Sequence, residues 1–188
     1  MKRLARLSLE EFTGQLSSRT PTPGGGCASA LTAALGVSLQ SMVIVFTLGK
    51  PAFSRHEKML KAVLARSVRL RRRFLELIDA DAAAYASKDT RKAMAVPVEV
   101  CRLCLEAAAD CVSLTGRTNR HLASDLAAAA LLLESAFTSA RYSVEANCVL
   151  SADKEKVKAV RRQTGAWLKQ IVRMRAKVEA GVGRTLRR

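Results

Sequence analysis

The sequence predicts an all-α fold, a bundle of long antiparallel helices, and three observations carry that reading. β-branched residues are scattered rather than alternating, alanine is abundant, and proline stops after Pro97. Residues 26–49 carry no charged side chain, which suits a helix at the centre of a bundle. Val157, Val160, Thr164, Trp167, Ile171, Met174 and Val178 step by alternating three and four. That is a heptad seam, to be covered either by an antiparallel neighbour in the same chain or by a partner subunit. At 188 residues the chain fits one domain, residues 1–188, able to bury about 70% of the surface its unfolded form exposes.

The elements follow in order. Ser8 with Glu11 three residues on is a capping-box pattern and opens a helix over about 8–18. A turn holding Pro21, Pro23 and three consecutive glycines leads into a helix over about 27–48 with no clear polar face. Gly49-Lys50-Pro51 breaks it, and a helix over about 54–86 carries Met59, Val63, Leu70, Phe74, Leu77, Ile78, Asp81 and Tyr85 on or near one side. After a weak break at Lys88-Asp89-Thr90, a helix over about 91–114 contains Pro97, which is tolerable only near a helix start or at a kink. Gly116 ends it. Residues 122–148 form an Ala/Leu-rich helix with Ser124 as cap and Asp125 as dipole partner in the first turn. Asp153 caps the last helix, and 184–188 are expected to fray.

The formal charge of +16 is uneven: twelve Lys/Arg in 154–188 face only Glu155 and Glu179, and nine in 50–73 face Glu57. Nucleic acid, an acidic membrane surface or a polyanionic small molecule would each suit that balance. Five Phe, two Tyr and one Trp supply little surface for stacking bases, so nucleic acid is not favoured. Cys101, Cys104 and Cys111 share one helical stripe, which reads as buried apolar thiols in a reducing, cytoplasmic setting rather than as a zinc or redox pair. Glu10 and Glu11 fall where an export signal would place its apolar core. Residues 26–49 are long enough to cross a bilayer, but Ser29, Thr32, Ser38, Gln40, Ser41 and Thr47 favour a bundle helix, so no membrane insertion is expected.

Three glycines in a row lose about 0.5–1 kcal/mol each against Ala in regular structure, so something should need bare backbone there. Two readings stand: a ligand pressed on the free N–H groups of a helix start, or two helices approaching closely. Two histidines and no carboxylate pair at metal spacing leave no metal site. Asp79 and Asp81 point about 200° apart on a helix, so they cannot form a dyad. Asp81 lies on the apolar stripe, where burial would raise its pKa as a general base requires; the plainer alternative is an ion pair across the bundle. Asp125 and Asn147 lie about 33 Å apart along one helix and cannot act on one atom from the same subunit. Lys50 is explained either by the preceding helix dipole or by a substrate anion.

Pro21-Thr22-Pro23-Gly24-Gly25-Gly26-Cys27-Ala28-Ser29-Ala30, Leu48-Gly49-Lys50, Asp79-Ala80-Asp81-Ala82-Ala83-Ala84-Tyr85, Val96-Pro97-Val98-Glu99, Ser124-Asp125-Leu126-Ala127 and Asn147 stand in an order that resembles the cyclodeaminase/cyclohydrolase family of folate enzymes. That family includes the C-terminal half of formimidoyltransferase-cyclodeaminase and stand-alone methenyltetrahydrofolate cyclohydrolases. The resemblance implies a soluble all-helical homodimer that takes a tetrahydrofolate derivative, free or polyglutamylated, as substrate, with neither metal nor prosthetic group. It implies Asp81 as catalytic base, backbone contact at Pro23, Gly24, Gly25 and Gly26, an anion contact at Lys50, and substrate contacts at Asp125 and Asn147. The implied reaction is hydrolysis of 5,10-methenyltetrahydrofolate to 10-formyltetrahydrofolate. The alternatives are formiminotetrahydrofolate cyclodeamination, which a stand-alone chain disfavours, or a divergent, non-catalytic binder of a polyanion such as nucleic acid. Cys27 departs from the usual serine, and the segment between Tyr85 and Ala95 is shorter than the family's, without its Leu-Pro-Lys element; Lys88 and Lys92 are the residues that could stand in.

Overall fold

The computed structural model describes residues 3–187; Arg188 of the expected tail lies outside them. Six α-helices follow one another: α1 (Leu9–Leu16), α2 (Gly25–Val45), α3 (Glu57–Ala86), α4 (Thr90–Leu114), α5 (Ala123–Leu150) and α6 (Lys154–Leu186). Short 3-10 turns stand at Leu4–Arg6, Pro51–His56 and Arg120–Leu122. No strand occurs among the described residues.

Helices α2, α3, α4 and α5 form a four-helix bundle, with α2 packed between α3 and α5, and α4 likewise packed on both. Ion pairs from Arg66 to Asp110 and from Arg73 to Glu99 tie α3 to α4 in antiparallel register. At the centre, buried Gln40 of α2 donates to the Ala107 carbonyl of α4 at 3.0 Å and accepts from the Ser67 hydroxyl of α3 at 2.7 Å. This network fixes three helices around one satisfied polar side chain. Helices α2 and α5 are long and apolar enough to cross a membrane, yet both are packed into the bundle. Helix α6 lays its seam on α4 and α5 of its own chain, burying Val157, Thr164, Ile171 and Val178, so the seam needs no partner subunit. Cys101, Cys104 and Cys111 are buried, unpaired thiols in the core.

The capping box forms as expected: the Glu11 N–H donates to Ser8 Oγ at 3.1 Å and the Ser8 N–H to the Glu11 carboxylate at 2.7 Å. Four expectations shift. Helix α2 starts at Gly25 and ends at Val45, before the expected 27–48, and a 3-10 turn occupies the start of the expected 54–86 helix. Helix α5 has Leu122 at its N-cap without a side-chain bond, so Ser124 is not the cap; the turn Arg120–Leu122 leads the chain in instead. Helix α6 continues to Leu186, into the stretch expected to fray. Pro97 lies well inside α4, where it cannot donate to the Ala93 carbonyl. Asn147 of α5 does so in its place, its side-chain amide donating to that oxygen at 3.0 Å and to the Ser143 carbonyl at 2.9 Å.

Candidate active site

Asp81 and the three glycines meet where α3 approaches its C-terminus and α2 begins. Gly24 is the N-cap of α2: its extended backbone lets its carbonyl accept from the Ala28 N–H at 3.0 Å, but it has no side chain to cap the next amides. Asp81 of another helix lies against this uncapped first turn: the Cys27 thiol donates to its Oδ2 at 3.3 Å, and the nearby Cys27 amide also favours the ionised carboxylate. The same thiol lies 3.4 Å from the Ile78 carbonyl oxygen, so Cys27 holds the carboxylate against one turn of α3.

The glycines separate by reason. A methyl group at Gly26 would overlap the Asp81 carboxylate, so this glycine is explained by close helix approach. Gly25 faces open space, with nothing within 4 Å of where a side chain would start, and Gly24 meets only the Pro21 carbonyl oxygen at 3.7 Å. Pro23 is buried and follows a cis peptide bond, bringing the chain to the helix start. The exposed backbone at Gly25 therefore leaves room for a ligand at the positive end of α2.

Burial raises the Asp81 pKa from 3.8, against the opposing hydrogen bonds from Cys27. No cation among the described residues acts on it, so the ion pair across the bundle is not formed among them. Asp79 takes that part instead, accepting from Arg3 at 2.8 Å and from the Ala5 N–H at 3.4 Å, and the two carboxylates diverge as their spacing requires. Burial pushes the Cys27 thiol up to about 12, so it serves as a proton donor to Asp81 and not as a thiolate nucleophile. The arrangement is a partly buried carboxylate poised to take a proton beside unfilled space and a helix N-terminus.

The remaining residues singled out in the sequence are elsewhere. Asn147 lies toward the same end as Asp81, but its amide is engaged with Ala93 and Ser143. Lys50 and Asp125 are at the opposite end, about 30 Å away along α2. Lys50 lines a cavity of about 610 Å³ together with Arg120 and His121, two side chains the sequence reading did not assign to a site. Their signal was an Arg–His pair at the start of an Ala-rich helix, which only the fold brings to Lys50. In the short α3–α4 turn, Lys88 takes the left-handed conformation at φ 55 and Lys92 pairs loosely with Asp89 at 3.9 Å. The part of Cys27 could not be read from spacing either, since its partner is 54 positions along the chain.

Residues 8–88 and 86–166 match the formiminotransferase-cyclodeaminase family, the two stretches meeting in that same α3–α4 turn. The chain is 32% identical over 163 residues to a methenyltetrahydrofolate cyclohydrolase of Methylorubrum extorquens, covering 74% of this chain and 78% of that protein. It is 28% identical over 163 residues to the formimidoyltransferase-cyclodeaminase of Rattus norvegicus, covering 74% of this chain but only 30% of the rat protein. The crystal structure of a formiminotetrahydrofolate cyclodeaminase from Thermotoga maritima superposes with a TM-score of 0.90 at 26% identity, over 95% of this chain and 96% of that one. Matched along most of its length in sequence and nearly all of it in fold, the chain belongs to the formiminotransferase-cyclodeaminase family.

Proposed function

We propose that the protein is a folate one-carbon enzyme that hydrolyses 5,10-methenyltetrahydrofolate to 10-formyltetrahydrofolate. The observation that carries this reading is the Asp81 carboxylate, partly buried at the start of α2 without a cationic partner among the described residues, in a chain similar to a cyclohydrolase over about three quarters of its length. The carbon bridging N5 and N10 is already electrophilic in the cation. Catalysis then asks for one base, orientation and shelter from bulk water. Asp81 takes one proton from water as the water oxygen bonds to that carbon; the bond to N5 then breaks with its electron pair going to N5, which gains the remaining hydroxyl proton as the formyl C=O forms, and the first proton leaves Asp81 for solvent. The exposed amides at the α2 start orient the polar heterocycle, with Pro23 and Gly24 shaping the approach. Drawn this way, the reaction uses neither a metal nor a prosthetic group.

Cyclodeamination of formiminotetrahydrofolate, in which ammonia leaves the same carbon, is favoured by the Thermotoga maritima neighbour. The purified protein separates the two: loss of methenyltetrahydrofolate absorbance above the spontaneous rate is expected, with little ammonia from the formimino compound. Ammonia release without hydrolysis would reverse the assignment.

The reading extends to a cytoplasmic homodimer acting on polyglutamylated folates. Five unpaired buried thiols suit a reducing compartment. The uncharged outward side of α2, with Leu35, Val45 and the adjoining Phe46 exposed, and Leu131 and Tyr142 of α5 give two copies of a +16 chain a surface on which few like charges would meet.

A further inference from the structure

At the end of the bundle opposite Asp81, the links between helices enclose the cavity of about 610 Å³. Lys50 enters from the α2–α3 link, Arg120 and His121 from the α4–α5 link, and Thr185 from the last turn of α6. Phe53 and Leu126 supply apolar wall, and no acidic side chain lines the cavity. Many arginines elsewhere are neutralised, as in the pairs Arg66–Asp110, Arg73–Glu99 and Arg161–Glu145. Lys50, Arg120 and His121 make no ion pair among the described residues, although they converge on one concavity. The two glycines in left-handed conformation stand here as well: Gly49 at φ 77 turns the chain into Lys50, and Gly116 at φ 73 lies in the wall. Two tight turns thus hold like charges together around an apolar recess, an arrangement that an anion with an apolar body would complete.

We propose that this cavity binds a small organic anion bearing two or more carboxylate or phosphate groups. It lies about 30 Å from Asp81 of the same chain, so one small ligand cannot occupy both places, and the proposal stands apart from the assignment of the reaction. Lys50 accordingly serves this recess rather than the ligand at Asp81 of its own chain.

Calorimetric titration tests it with tri-γ-glutamate as carboxylate probe and inorganic pyrophosphate as phosphate probe. The expected result is binding at one site per chain by the unaltered protein, by Asp81→Asn, and by a Lys158→Ala/Arg162→Ala variant on the exposed face of α6. Affinity is expected to fall at least tenfold in Arg120→Ala/His121→Ala. The tighter of the two probes names the source of the anion. Binding of neither probe, or equal weakening in the α6 variant, overturns the site in favour of none or of diffuse surface charge. If the double variant loses helicity by circular dichroism, Arg120→Gln alone is titrated against the same tenfold criterion.

Discussion

Burial holds the Asp81 carboxylate above its usual range while the Cys27 amide and thiol hold its ionised form in place. The sign of the linkage follows. The folded state keeps a proton that the unfolded chain releases near pH 4, so the stabilising contribution is complete below that point and is lost as pH rises through the folded value. Asp81→Asn is therefore expected to melt above the unaltered protein at pH 7 to 8, with the gap closing toward pH 4 in thermal scans. Serine at position 27 would donate a stronger hydrogen bond than the thiol does. Cys27→Ser is accordingly expected to move the acidic limb of the activity profile to lower pH; an upward shift would mean the thiol does not support the ionised form. The glycines make a matched pair. Gly26→Ala drives a methyl into the Asp81 carboxylate and should cost about 1–3 kcal/mol in denaturant unfolding as well as activity. Gly25→Ala meets nothing in the fold, so a raised KM at unchanged stability is expected if folate lies against that backbone.

Two helices owe their form to residues of other helices, which is why their details were not legible locally. Helix α2 begins at Gly25 with no side-chain cap of its own and with Asp81 of α3 against its first turn, whereas reading along the chain places a helix start by neighbouring cap residues. Pro97 was visible as a defect in α4, but its remedy, Asn147, is fifty positions away and had been read as a substrate contact. Removing that amide strands the Ala93 carbonyl. Asn147→Ala is expected to cost about 1–3 kcal/mol, and Pro97→Ala in the same background should recover much of it, because the restored N–H donates to the same oxygen. A loss that Pro97→Ala does not repair would show that Asn147 acts elsewhere. What was legible is what depends on local pattern: the capping box, the uncharged central helix, the heptad seam and the cysteine stripe.

Across the whole molecule, the sequence pattern and resemblance were enough for the fold class and family, but not for the division of the assigned residues between two ends of the bundle. Helical spacing separates Asp125 from Asn147, yet only the packing of α2 against α3 and α5 assigns Lys50 to one end and Asp81 to the other. The charge is divided too: α3 and α6 are rich in cations, while α2 has none and α5 carries a single Arg. A dimer built on the α2–α5 side is expected to dissociate in Leu35→Glu, read as a halved mass by light scattering; unchanged mass would place the interface elsewhere. Turnover should vary modestly with salt, whereas binding dominated by nucleic-acid phosphates would collapse as salt rises. The central claim, that Asp81 at the start of α2 is the base of a methenyltetrahydrofolate cyclohydrolase, is tested most directly by the rate of methenyltetrahydrofolate absorbance decay in Asp81→Asn beside the unaltered protein. We expect catalysis above the spontaneous rate that falls by about 10²–10⁴ in the variant while its helical fold is kept. Equal rates in the two proteins, or no rate above background from folded unaltered protein, would contradict it.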